Sequence, residues 1–112
     1  MSPLRDDYIL RQTRAIAAIL ARIIGLRLDG DPERARAGLE EAYAMLLESQ
    51  AGLIRRVDTT TAAKLIGSSE KVLSYASLLE EESEQEPDEA RKALLRARAA
   101  ELRSIVAQKE PC

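Results

Sequence analysis

Asp31-Pro32-Glu33-Arg34-Ala35-Arg36 and Glu86-Pro87-Asp88-Glu89-Ala90-Arg91 carry one pattern twice. The echo continues, with Leu39 answered by Leu94 and Ala42 by Ala97. Both copies read acid-Pro-acid-x-Ala-Arg-x-x-Leu-x-x-Ala. An acid can cap a helix, proline suits the first turn because its missing N–H is not needed there, and the second acid complements the helix dipole. Beyond this start, Ala, Leu and Ala recur at i, i+4 and i+7, which places them on one face. The alanines let a neighbouring helix approach closely, and the leucine fills the gap between them. The pattern predicts two helices, each zipped by a small-large-small seam to the helix before it. Ala35, Leu39, Ala42 and Leu46 are the expected core of the first. Ala90, Leu94, Ala97, Leu102 and Ile105 are the expected core of the second.

The preceding segments supply the partners. Over residues 5–28, Ile9, Thr13, Ile16, Leu20 and Ile23 share one helical face. Leu10, Ala17, Ile24 and Leu28 form a second row beside it, and Ile19 and Leu26 lie on the other flank. The apolar arc is wider than one partner helix covers. Gly30 ends this helix, and the next spans 31–56, with its end between Ser49 and Arg56 near the helix-disfavouring Gly52. Residues 57–67 read as a connector holding a short helix from Thr60 to Ile66. Residues 68–84 read as a helix capped by Ser68 or Ser69, with Val72, Tyr75, Ala76 and Leu79 inward, and 87–108 as the last helix. No stretch alternates with period two, so no sheet is expected. The expected fold is all-α and one domain over 1–112. Two antiparallel helical hairpins, 5–28 with 31–56 and 68–84 with 87–108, are joined by the short helix.

Composition narrows the function classes. The 112 residues are 46% hydrophobic and 32% charged, with net charge −2, and the aromatics are Tyr8, Tyr43 and Tyr75 alone. There is no His, and the one Cys is Cys112. That removes a Ser-His-Asp triad, an imidazole base, a thiolate zinc cluster and an internal disulfide. No glycine-rich nucleotide pattern occurs. No base, nucleophile and orienting group can be assembled, so neither an enzyme nor a cofactor is expected. Arg11, Arg14, Arg22 and Arg27 interrupt the apolar stretch Tyr8–Leu28, which argues against a membrane span. A signal peptide is not expected either, and a cytoplasmic location is.

The run from Gly30-Asp31 through Ala35, Leu39 and Ala42 resembles the turn and second helix of a tetratricopeptide repeat. The last hairpin is similar, with Gln85 in place of the glycine, and the likeness covers residues 16–46 and 72–102. The first helix of each hairpin lacks the Trp and the Leu-Gly pair of that family. Asp7-Tyr8-Ile9-Leu10-Arg11, followed by Ala21-Arg22-Ile23-Ile24-Gly25-Leu26, also resembles a small bacterial family of uncharacterised proteins. The resemblances imply a helical-hairpin fold and a bacterial source, and no activity.

The first helix holds the candidate site. Residues 1–28 carry five Arg against two Asp in an acidic chain. Arg11, Arg14 and Arg22 share the narrow polar side and can meet an acidic helix, a phosphate or a lipid headgroup. Apolar surplus around Tyr8, Ile19 and Leu26 is expected to face a second chain or a partner's amphipathic helix. Tyr8, Arg11, Arg14, Ile19, Arg22 and Leu26 are therefore the expected partner-binding residues of a non-catalytic interaction or self-association module, most simply a homodimer. The alternatives are peripheral binding to anionic lipid through this helix and a small-molecule sensor with a pocket between the hairpins. Nucleic acid is not an expected partner, because the chain is acidic and no aromatics interleave with its basic residues. The acidic run Glu80, Glu81, Glu82, Glu84, Glu86, Asp88 and Glu89 lacks the spacing of a calcium loop and reads as a solvated turn.

Overall fold

A computed structural model describes residues 3–109. Cys112 lies outside the described residues. The elements are α1 (Pro3–Leu28), α2 (Pro32–Leu47), a 3₁₀ turn (Glu48–Gln50), the single-turn α3 (Ala51–Ile54), α4 (Thr59–Ile66), α5 (Ser69–Gln85) and α6 (Glu89–Lys109). Among the described residues there is no strand. The all-α expectation holds, and the starts of α2, α4 and α5 follow from local chemistry. Asp31, Asp58 and Ser68 each accept a hydrogen bond from the backbone N–H three residues on. Gly30 and Gly67 adopt positive φ, 81° and 87°, where a side chain would be strained.

α2 is shorter than expected. It stops at Leu47, and Glu48 takes φ 56° and ψ −135°, a backbone state that only glycine adopts freely. Glu48, Ser49 and Gln50 are exposed between the buried Leu46 and Leu47 and the buried Ile54. The bend at this polar triplet takes the chain off the α2 axis towards α4, which packs against α5 and α6.

The expected seam of α6 is corrected. Ala90, Leu94 and Ala97 are exposed, whereas Leu95, Ala99, Leu102, Ile105 and Val106 face or border the core. A longer apolar row takes the core instead: Leu95, Ala99, Leu102 and Val106 stand at i, i+4, i+7 and i+11 on one face, and α5 packs on it. The start also differs, since Asp31 before the proline caps α2, whereas in the second copy the Arg91 N–H donates to Asp88, after the proline, at 3.1 Å. Ala35, Leu39 and Ala42 remain fully covered, at 0%, 2% and 0% exposure.

α1 lies along α2, and α5 lies along α6. The contacts Tyr8–Glu48, Gln12–Met45 and Ile23–Gly38 run in opposite senses along α1 and α2. Arg96–Glu84 and Arg103–Glu80 do the same for α5 and α6. α5 also packs against both α1 and α2, which makes it the central element. Its buried residues Val72, Tyr75, Ala76, Leu78, Leu79, Glu81 and Ser83 cover most of its circumference. One core runs through all these contacts, and the rings of Tyr43 and Tyr75 meet edge-on within it at 6.0 Å. No described helix is long and apolar enough to cross a membrane.

Candidate functional site

α1 presents Arg11, Arg14 and Arg22 on its exposed side. Helical periodicity brings the three within one turn's arc. None makes an ion pair or side-chain hydrogen bond among the described residues. Tyr8 is exposed as well, and its hydroxyl donates to Glu48 Oε1 at 3.4 Å. Tyr8 and Arg11 line a shallow hollow of about 500 Å³ with Gln12, Met45 and Glu48. Gln12 Nε2 donates to the Met45 carbonyl at 3.1 Å, while its Oε1 is buried without a partner.

Ile19 and Leu26 do not join this surface. Both are half-buried against the core. The wide apolar arc of α1 is used within the molecule, because two helices, α2 and α5, pack on it rather than one. The apolar residues that α1 leaves outside belong to the other flank, Leu10 and Leu28, with Ala17 and Ala21 between them.

In the acidic run Glu80, Glu84, Asp88 and Glu89 are exposed, and Glu84 and Glu86 meet Arg96 and Arg91, but Glu81 departs from a solvated turn and is buried in an arginine clamp. The Arg27 guanidinium at the end of α1 donates to both oxygens of Glu81, at 2.8 and 3.1 Å, and the Glu81 side chain is almost fully buried. Gln85 Nε2 adds a third donor to Glu81 at 3.0 Å. Arg103 of α6 grips Glu80 with two donors at 2.8 and 2.9 Å, and Arg96 reaches Glu84 at 3.2 Å. Arg55, just after α3, lies between Glu40 and Glu82, at 3.2 and 3.6 Å, with its guanidinium 4.2 Å above the Tyr43 ring. Arg91 and Glu86 close the row at 3.2 Å.

The protonation states agree with these contacts. The hydrogen bond to Glu81 raises the Arg27 pKa above its ordinary value against the opposing effect of burial. The bond to Glu80 does the same for Arg103. Burial works against the charge of Arg55, but Glu40 and Glu82 outweigh it, so that pKa is also raised. The Tyr43 hydroxyl donates to Glu82 at 2.6 Å, and burial followed by the charge of Glu82 pushes the phenol far above its usual range. These pairs join α5 to α1, to α6 and to the segment after α3.

α1, α5 and α6 enclose an open groove of about 570 Å³. Leu20, Ile24 and Ala100 give it apolar walls, and the clamped pairs Arg27–Glu81, Arg103–Glu80 and Arg96–Glu84 line the rest. Each charge there already faces its opposite. No group of His, Cys, Asp or Glu among the described residues is arranged to hold a metal ion.

Arg98 was not singled out by its sequence position. Its guanidinium donates to the carbonyls of Ile54 and Val57, both at 2.8 Å, and to the Tyr75 hydroxyl at 3.2 Å. It satisfies carbonyls at the irregular end of α3 and fastens α6 there. The one available signal was the Arg55–Asp58 break itself, whose carbonyls need donors from elsewhere. Glu81 was equally hidden, as one acid in a crowded run. Comparison with protein-family models, curated proteins and solved structures finds no match for this chain.

Proposed function

We propose that the chain is a non-catalytic protein–protein interaction module, self-association included, that works through the outward side of α1. The carrying observation is a contrast among its arginines. Arg27, Arg34, Arg55, Arg91, Arg96 and Arg103 are paired with carboxylates, Arg56 and Arg98 with carbonyls, and Arg36 stands exposed and alone on α2. Arg11, Arg14 and Arg22 stand exposed and unpaired among the described residues, beside the exposed Tyr8 and Leu10. Three exposed, unpaired arginines gathered along one side of a single helix suit an acidic partner surface. The arginines then set orientation and association rate more than affinity.

The packing of α5 against both α1 and α2 is compatible with two tetratricopeptide-like hairpins, and we read the fold that way. Ile19 and Leu26 then support the surface from beneath, and Tyr8, Arg11, Arg14 and Arg22 meet the partner. The test is affinity capture from the source cells with wild-type and Arg11→Glu/Arg14→Glu/Arg22→Glu baits in parallel, together with light scattering of both at tens of micromolar. A partner, or a second copy, held by the wild type and lost from the variant is the expected result. Identical behaviour of the two baits would overturn the reading. Pelleting with anionic phospholipid vesicles that the same substitutions abolish would reassign the row to a lipid surface.

A further inference from the structure

Three separate features meet at the hollow between α1 and the end of α2. The first is backbone strain. Glu48 holds φ 56° and ψ −135°, a state that costs a glutamate energy and a glycine almost none. The chain keeps a carboxylate at this position although glycine would suit the backbone better. The second is an acceptor without a donor. Gln12 Nε2 donates to the Met45 carbonyl, which can only accept, so the amide cannot be turned round. Its Oε1 is left buried with no partner. The third is charge. Arg11 and Glu48 line the same hollow and form no ion pair with each other, and Arg11 meets no other carboxylate among the described residues.

This lining suits a ligand with two opposite ends. A ligand ammonium finds the Glu48 carboxylate, which carries only the long 3.4 Å bond from Tyr8. It also supplies the donor that Gln12 Oε1 lacks, and it can sit against the exposed Tyr8 ring. A ligand carboxylate finds the Arg11 guanidinium. A simple anion would meet Glu48 and a simple cation would meet Arg11, so neither is as well served as a zwitterion. Tyr8 and Met45, both about half exposed, offer apolar area to a side chain. The volume of about 500 Å³ is that of a small-molecule site.

We propose that this hollow binds a free α-amino acid with an apolar side chain. The inference goes beyond the interaction reading and does not depend on it, although both use Tyr8 and Arg11.

Titration of the full chain with L-leucine, followed by amide NMR, tests it, because the side-chain amide of Gln12 reports directly on its own oxygen. Saturable shifts of that resonance and of the Tyr8, Arg11 and Glu48 backbone amides are expected below ~20 mM, since an open hollow binds weakly. Isocaproate lacks the ammonium and isoamylamine lacks the carboxylate. Each should bind at least about tenfold more weakly than leucine, the loss expected for one charged contact. Arg11→Gln and Glu48→Gly should each weaken leucine binding by at least about tenfold. Both positions are exposed, and Glu48→Gly relieves the backbone, so this variant should melt no lower than the wild type. If it does melt lower, Glu48→Gln replaces it. Undiminished stability with lost binding is a result that a purely structural role for Glu48 does not give. The absence of a saturable shift at ~20 mM leucine overturns the proposal. So does equal binding of leucine, isocaproate and isoamylamine, or leucine binding that either variant leaves unchanged.

Discussion

Gly38 of α2 lies so close to Ile23 of α1 that a β-carbon built at position 38 stands 2.9 Å from Ile23 Cγ1. In an open helix interior, Gly→Ala stabilises by about 1 kcal/mol through backbone entropy. Here the added methyl must displace a fully buried isoleucine, and overpacking costs about 1–3 kcal/mol. Gly38→Ala should therefore be neutral or destabilising in urea unfolding. Gly38→Ala with Ile23→Val should recover part of the loss. A clear gain in stability from Gly38→Ala alone would mean that the two helices pack less tightly than this.

The two halves of the repeated motif should respond oppositely to a charge. Leu39→Asp places a carboxylate in the core with no partner, at a cost of about 4 kcal/mol or more. Leu94→Asp alters a side chain that is mostly in water and should change stability by less than about 0.5 kcal/mol. Melting curves of the two variants, taken at low concentration so that association does not contribute, decide between the inward and outward placements of α6's stripe.

Arg98→Met keeps most of the apolar stem but strips the donors from the Ile54 and Val57 carbonyls. The expected loss is about 3 kcal/mol, since bonds from a charged donor are the stronger kind and the carbonyls are left short. Arg98→Lys should restore less than half of it, because an ammonium cannot fork to both carbonyls and Tyr75 in this geometry. Equal stability of all three proteins would show that water replaces the guanidinium at no cost.

Asp58 gives α4 an acid-sensitive start. Hydrogen bonds from the Thr61 hydroxyl and then its N–H lower the Asp58 pKa below the ordinary value. A carboxyl whose folded pKa is lowered contributes fully above its unfolded value of about 3.9 and stops contributing as pH falls through the folded one. The Thr61 amide should thus exchange with solvent faster below about pH 4, relative to its intrinsic rate. Asp58→Asn, which caps without titrating, should flatten that dependence. A wild-type profile that matches the Asn variant would dissociate the cap from the charge.

Local chemistry was the legible part of the fold. The caps at Asp31, Asp58 and Ser68 and the stops at Gly30 and Gly67 each involve residues within a few positions of one another, so they can be read in order along the chain. Rotation of a helix about its own axis is less legible. In α6 the longer row Leu95, Ala99, Leu102 and Val106 takes the core and leaves Ala90, Leu94 and Ala97 outside, without altering the helix's existence. The pairings over long sequence distances were not legible at all. Nothing near Arg27 marks Glu81 as its partner, and nothing near Arg98 marks the carbonyls of Ile54 and Val57. Of the candidate site, the exposed arginine row and Tyr8 were readable from periodicity. Ile19 and Leu26 were misplaced because the number of helices packed on α1 depends on α5, which lies far along the chain.

Every salt bridge among the described residues uses arginine, and Lys64, Lys71, Lys92 and Lys109 enter none. The fasteners of this molecule are therefore invisible to amine chemistry. Acylating dyes, bifunctional esters and reductive methylation will modify the lysines and leave α5's moorings intact, whereas a dicarbonyl reagent aimed at guanidinium groups will attack the moorings themselves.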